Sequence, residues 1–235
     1  MAMQRYVGYL FAGFVLLGGS ACEKEAALET DGLSYVNGIP YYHFTDSDRL
    51  WLQHKPGDEW SFKNSTGIQR VYRLSIRQQL QSPYKTSAPS GILSTKYTLV
   101  SYHDELELSV FNTNAADSAS GGRFYFYRDA TVTGHNQAGS GPSRFYTDGE
   151  WFSFLGTGKS QSDDYQPNDA QLAGAFTQLL VQGKAYSEVV LFSAQPRSSF
   201  YPAPTSASVN RIFYDRQAGI VRLVTVGGEV WDRTP

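Results

Sequence analysis

Residues 69–77 read QRVYRLSIR. If the stretch is extended, Tyr72, Leu74 and Ile76 share one side, and Val71, Arg73, Ser75 and Arg77 share the other. A strand sends alternate side chains to opposite faces, so a period of two marks a strand with one face buried and one wet. As a helix, the same residues would scatter their apolar side chains around the axis. Residues 105–110, ELELSV, repeat the pattern with Leu106, Leu108 and Val110 against Glu105, Glu107 and Ser109. Half-wetted strands of this kind belong to antiparallel sheets.

Turn chemistry links these runs to their neighbours. Trp60 and Phe62 lead through Asn64-Ser65-Thr66-Gly67 into the strand that contains residues 69–77, a hairpin with a glycine-bearing loop. Tyr97–Tyr102 and Glu105–Phe111 flank His103-Asp104, which reads as a second hairpin turn. Leu179–Val181 and Tyr186–Phe192 flank Gln182-Gly183-Lys184, and Arg211–Tyr214 and Ile220–Val226 flank Asp215–Gly219. Gly227-Gly228 turns the chain into Glu229-Val230-Trp231. Arg123–Arg128 and Trp151–Leu155 are further aromatic strands. The best helix candidate is Asp169–Val181, with Leu172, Phe176 and Leu180 four apart, but Gly174 and Thr177 weaken it. A strand is expected over its C-terminal half, with a short helical turn before it. Residues 112–122, 133–143, 156–168 and 194–208 are loops by their Ser, Gly, Ala, Asn and Pro content. Together these signals predict one all-β domain over residues 33–235 with little helix. The expected form is an antiparallel meander rolled into a barrel or half-barrel, with a two-sheet sandwich as the alternative.

Composition agrees and removes several functions. Sixteen Tyr and 14 Phe in 235 residues favour strand. A net charge of −2 gives no electrostatic footprint for nucleic acid. One cysteine excludes an internal disulfide and a Cys-rich metal cluster.

The N-terminus reads as an address. Arg5 precedes the uncharged apolar segment Tyr6–Leu17, and Gly18, Gly19, Ser20 and Ala21 are small. This is the order of a secretory signal peptide over residues 1–21. The apolar run is shorter than the ~20 residues a membrane helix requires. Cys22 follows directly, and residues 16–25, LLGGSACEKE, resemble the lipobox of bacterial lipoproteins, with Gly19 standing where an aliphatic residue is usual. The resemblance implies a diacylglycerol group on Cys22, which becomes the mature N-terminus. The competing reading is ordinary cleavage and a free secreted protein with an unpaired thiol. Acyl burial contributes ~0.8 kcal/mol per CH₂, and two or more chains hold stably. The expected partner of Cys22 is therefore the lipid bilayer. Residues 22–32 read as a tether, whose polar stretch Glu23–Asp31 reaches up to ~30 Å at ~3.3 Å per residue.

The C-terminal part carries a second resemblance. Val181-Gln182-Gly183-Lys184-Ala185-Tyr186, then Tyr214 followed by Gly219-Ile220-Val221-Arg222, then Gly228-Glu229-Val230-Trp231 occur in order. With Cys22 and the acidic residues after it, this order is similar to small uncharacterised envelope lipoproteins of Bacteroidota. The resemblance implies a lipid-anchored protein of the bacterial envelope, at the outer membrane, with a β fold. It implies no activity.

Nothing in the sequence names a catalytic or cofactor site. Nucleophile elbows, phosphate loops and His-Glu-x-x-His are missing, and His43, His54, His103 and His135 are scattered. His103-Asp104-Glu105 offers metal-binding atoms but reads as a solvated turn. Asp46-Ser47-Asp48 and Asp163-Asp164 read as turn and capping aspartates in loops. Gly219, Tyr214 and Trp231 read as structural. Tyr125 and Tyr127 alternate with Phe124 and Phe126, so one aromatic pair either faces outward as a platform or is buried in a two-sided wall. The leading functional expectation is a non-enzymatic binding module for a glycan, lipid or protein. The alternative is a hydrolase of envelope or extracellular polymer.

Overall fold

In the computed structural model, which describes residues 32–89, 95–114, 120–130, 143–155, 159–167, 175–194 and 205–235, the 69–77 stretch opens the longest strand. The elements are β1 (Leu33–Val36), β2 (Ile39–Tyr42), α1 (Asp46–Arg49), a 3₁₀ turn (Leu50–Leu52), β3 (Glu59–Asn64), β4 (Gln69–Pro89) and β5 (Thr95–Asn112). After them come β6 (Gly121–Ala130), β7 (Ser143–Leu155), β8 (Lys159–Pro167), β9 (Thr177–Val181), β10 (Lys184–Ala194), β11 (Val209–Asp215), β12 (Gly219–Thr225) and β13 (Val230–Arg233).

All thirteen strands belong to one sheet. Its order runs β5-β4-β3-β13-β12-β11-β10-β8-β7-β6, and β6 also pairs with β5, so the sheet is rolled up rather than open. A regular closed barrel is not formed. β8 meets β10 over three residue pairs, β9 takes the other end of β10, and the β1–β2 hairpin leaves the round by a short parallel contact with β5. The all-β expectation with little helix holds, and the described strands do not form the two sheets of a sandwich.

The alternation in the opening stretch sets the inside. Tyr72 and Leu74 are buried, Ile76 packs against the same core, and Arg73, Ser75 and Arg77 are exposed. Leu106, Leu108 and Val110 on β5 and Phe124 and Phe126 on β6 continue the inner layer. Rings fill the centre. Tyr214 lies 5.6 Å from Phe124, 5.9 Å from Phe126 and 6.0 Å from both Phe192 and Trp51. Trp51 comes from the 3₁₀ turn, and also meets Phe145 and Phe176. Each such ring contributes roughly 1.5–3 kcal/mol by leaving water. Tyr214 and Trp231 are thus core residues, in agreement with their structural reading.

Four turns lie where the sequence puts them. Asn64–Gly67 joins β3 to β4, Gln182-Gly183 joins β9 to β10, residues 216–218 join β11 to β12, and Gly227-Gly228 leads to β13. Gly219 holds φ +79, and a Cβ there would lie 2.3 Å from Trp60 Cζ2, so only glycine fits.

Three expectations are corrected. His103-Asp104 is no turn: β5 runs straight through it, and the bend is taken by a bulge in β4 between Gln79 and Ser82, where Gln81 has φ +54. Asp104 points inward and is buried. Its carboxylate accepts from Tyr41 Oη at 2.6 Å, Phe44 N at 3.1 Å and Gln81 N at 3.3 Å. It thereby stitches the bulge and the β2–α1 link to β5. Asp46-Ser47-Asp48 is not loop but the start of α1. The capping reading holds for Asp48, which reaches back to Thr45 N at 2.8 Å while Thr45 Oγ1 caps Asp48 N. Residues 156–168 contain strand β8, and Asp163-Asp164 lie within it. The sequence of β8, KSQSDDYQP, carries no apolar alternation, which is why the strand does not show in the sequence.

The signal segment, Cys22 and most of the tether lie outside the described residues, as does the helical turn expected before β9. Gly32, placed at the end of the tether, is already packed: its carbonyl accepts from His43 N at 2.8 Å. Among the described residues no helix is long and apolar enough to cross a membrane.

Candidate functional site

The outer faces of β4, β5, β6 and β7 form an open groove of about 690 Å³. Its walls follow from strand register. One row across the four strands is Gln79, Glu105, Tyr127, Tyr146, and the next is Arg77, Glu107, Tyr125, Asp148. A third row holds Ser75, Ser109, Arg123 and Glu150. Neighbouring strands stand ~4.8 Å apart, and rows two residues along stand ~6.7 Å apart. Within residues 73–77, 105–110, 123–129 and 145–150, alternate residues therefore face this side and the residues between them face inward.

Tyr125 and Tyr127 are half-buried here, the outward pair of the aromatic strand, while Phe124 and Phe126 fill the interior. Tyr127 stacks on Tyr146 with ring centroids 5.2 Å apart and planes 11° from parallel. Arg144 caps Tyr146 from 5.5 Å. Burial pushes the Tyr127 hydroxyl up to about 12, helped by the negative charges of Asp148 and Asp129 and by Tyr146. It therefore stays a neutral donor and acceptor across the physiological range.

The groove is acidic. Of its lining residues, Glu105, Glu107, Asp129, Asp148 and Glu150 carry carboxylates, and Arg77 alone carries a fixed positive charge. Arg123, in the third row, sits 3.7 Å from Glu107. Its pKa is raised, first by a hydrogen bond to Tyr125 and then by Glu107 and Glu150. Ser109 Oγ donates to Glu107 at 2.9 Å. With its nitrogen turned toward Glu105, the Gln79 amide donates to that carboxylate and accepts from Arg77 at 2.8 Å. His103 Nε2 lies 3.4 Å from Glu105, and His103 Nδ1 has no hydrogen-bond partner among the described residues.

No family model, curated protein or solved structure matches this chain. The groove must be read from its own chemistry.

The structure thus splits the His103-Asp104-Glu105 triplet. Asp104 serves the core, while His103 and Glu105 line the groove. Asp164 pairs in backbone register with Glu150, one strand beyond the groove. Asp48 is held elsewhere, under a buried ion pair with Arg128 whose Nε donates at 2.7 Å. No group of three or more His, Cys, Asp or Glu among the described residues is arranged to hold a metal ion. The carboxylates Asp129, Asp148 and Glu150 and the contribution of Arg77 had no separate signal in the sequence. What could have found them is the period of two itself, once β4 to β7 are laid side by side.

A second polar group lies inside the roll. His54 meets Trp60 edge-on at 5.0 Å, and Arg233 lies over the same ring at 5.0 Å. Arg233 donates to the carbonyls of Ala218 and Ile220. His54 Nε2 and the fully buried Tyr214 hydroxyl have no hydrogen-bond partner among the described residues. Burial and then Arg233 hold His54 down at about 4. His54 and Arg233 are half-buried and share the buried Trp60 ring.

Proposed function

We propose that the protein is a lipid-anchored envelope lipoprotein of the Bacteroidota type, and that its outer groove is a non-enzymatic binding site for a glycan. The observation that carries this reading is a roll filled with rings, beside an open polar groove lined by Tyr125 and Tyr127. Lipid carriage needs an apolar cavity, and the centre of the roll is occupied by Trp51, Phe124, Phe126, Phe192 and Tyr214. A sugar ring presents C–H faces that pack on an aromatic side chain and hydroxyls that donate to carboxylates. The groove offers both at the spacing of neighbouring sheet rows.

The test is affinity electrophoresis or calorimetry of the chain from residue 23 onward against soluble polysaccharides, beside a Tyr125→Ala/Tyr127→Ala variant. Retention by a glycan, lost in the variant while its circular dichroism is unchanged, is the expected result. Equal retention by both proteins removes the groove from the reading. Release of new reducing ends would turn the binder into the alternative hydrolase. The anchor is tested separately: Cys22→Ser should abolish incorporation of labelled fatty acid and membrane partitioning.

A further inference from the structure

We propose that the outer half of the β4–β5 hairpin is a membrane-contact arm, which lies in the headgroup region of the bilayer that holds the acylated Cys22. The inference rests on the lipid-anchor reading above and adds a second, non-covalent contact to it.

Strand pairing shows where the arm begins. β3 pairs with β4 over Gln69–Arg73 only, and β6 pairs with β5 over Glu105–Phe111 only. Beyond the bulge at Gln79–Ser82, residues 83–89 pair with residues 95–102. The one further strand there among the described residues is β2, which touches Tyr102 and His103 at the base. Seven residues at ~3.3 Å each carry the hairpin ~23 Å past the roll. A two-stranded ribbon is marginal in water by itself, and its side chains gain from another surface.

The chemistry of the arm fits a lipid headgroup layer. From Trp60 to His103 the chain has none of its 22 Asp and Glu and six of its 20 Lys and Arg. Two of the six, Lys85 and Lys96, lie on the arm strands. Pro83 pairs with Tyr102, Lys85 with Leu99 and Ser87 with Tyr97, so these residues share one face, and Tyr84 and Ser101 belong to the other. Tyr97 is 66% exposed. A tyrosine sits at headgroup depth with its ring among acyl carbons and its hydroxyl in water, and a lysine stem reaches the phosphates. The arm strands carry no carboxylate to repel those phosphates. The acidic groove and the rest of the body are screened from the outer arm, because ~23 Å exceeds the Debye length of ~8 Å at physiological salt.

The course of the chain places the bilayer at this end. Gly32, where the tether joins the body, accepts from His43 N, and the next residue, Phe44, donates its N–H to Asp104. The same Asp104 holds Gln81 N in the bulge. The tether therefore leaves from the base of the arm. Its reach of up to ~30 Å exceeds the ~23 Å of the arm, so an anchored Cys22 leaves the arm room to meet the membrane.

The chain from residue 23 onward lacks the anchor, so its binding to lipid reports the arm alone. It is floated with vesicles of phosphatidylcholine, with and without phosphatidylglycerol. The parent should float with the mixed vesicles, with a partition coefficient about fivefold above that on phosphatidylcholine and an excess that shrinks as salt rises. Tyr97→Ser/Leu99→Ser should lower the coefficient at least about tenfold. Lys85→Glu should remove the preference for phosphatidylglycerol, and Tyr84→Ser, on the other face, should change nothing. A parent that floats with neither vesicle overturns the proposal. If that parent also elutes as a dimer, and Tyr97→Ser/Leu99→Ser as a monomer, the arm is a contact with a second copy instead. Equal flotation of Tyr97→Ser/Leu99→Ser and the parent overturns the assignment to this face. Failure of fatty-acid labelling at Cys22, with flotation retained, removes the anchor and leaves the arm contact standing. Near-ultraviolet circular dichroism of each variant checks that the core rings are undisturbed.

Discussion

The His54 imidazole gives the structure a measurable pH dependence. In the unfolded chain it titrates near 6.5, and in the fold burial, followed by Arg233, holds it down at about 4. Above pH 6.5 the ring is neutral in both states and contributes no slope. Between 6.5 and 4 the unfolded chain takes up a proton that the folded protein refuses, so stability falls as the pH falls. At 1.36 kcal/mol per pH unit the full gap is worth about 3 kcal/mol. Carboxylates titrate over part of this range, so the effect must be isolated by difference. His54→Phe keeps the edge-on contact with Trp60 and removes the proton site. Urea unfolding of both proteins at pH 7.5, 6.5, 5.5 and 4.5 yields the stability of the variant minus that of the parent. That difference should be constant from pH 7.5 to 6.5 and then grow in favour of the variant by about 1–1.4 kcal/mol per unit. A difference that stays flat to pH 4.5 would refute a buried neutral imidazole. So would a His54 ring proton resonance in the native protein that titrates near 6.5.

Three further perturbations test the packing. Arg128→Met should cost about 3–5 kcal/mol in urea unfolding, because it strands the buried Asp48 carboxylate that now takes Arg128 Nε at 2.7 Å, and adding Asp48→Asn should recover part of the loss. Tyr214→Phe should leave stability unchanged or raise it by up to ~1 kcal/mol, since the hydroxyl is buried with no hydrogen-bond partner among the described residues; a loss above that size in thermal unfolding would reveal a partner. Gly219→Ala should lower the melting temperature more than Gly38→Ala does. Both glycines hold φ +79 and share the left-handed cost of ~1–2 kcal/mol. Only Gly219 would also drive a Cβ into Trp60, whereas a Cβ on Gly38 would meet nothing within 4 Å among the described residues.

How far the fold can be read in advance depends on what forms each element. Residues 69–77 and 105–110 are legible because burial on one face alone sets their pattern, and burial is written into side-chain polarity. The β11–β12 hairpin is legible because Gly219 is a backbone requirement that only one residue type satisfies without strain. His103-Asp104 misleads because a turn and a strand with an inward acid look alike in sequence. What separates them is the partner of the acid, and Gln81 N, Phe44 N and Tyr41 Oη come from segments 23 or more residues away. β8 is hidden because its sequence, KSQSDDYQP, lacks the apolar alternation that marks a half-buried strand. The Asn37-Gly38 dipeptide, with positive φ at both residues, is a local signal for the β1–β2 hairpin, although not for its parallel contact with β5. The candidate site is legible only in part. Tyr125 and Tyr127 announce themselves as an aromatic pair, whereas Asp148 and Glu150 join them through a register that no single strand encodes.

The same register separates the core from the proposed binding face. On β5, Leu106 and Leu108 face the core while Glu105 and Glu107 face the groove, and on β6 Phe124 and Phe126 alternate with Tyr125 and Tyr127. A substitution on the inner set opens a cavity among packed rings, with a cost of ~2–5 kcal/mol for a large-to-small change. A substitution on the outer set changes a partly solvated side chain and leaves that packing alone, which holds most such changes within about ±0.5 kcal/mol. One-residue spacing therefore distinguishes the two classes without further structure. If the groove binds the proposed glycan, Glu105→Gln and Glu107→Gln should alter its affinity at nearly constant stability, and Leu106→Ala and Leu108→Ala should do the reverse. If glutamine at 107 cost as much as alanine at 108, the groove carboxylates would have to be holding the sheet together, through Ser109 and Arg123, and the groove would be part of the framework.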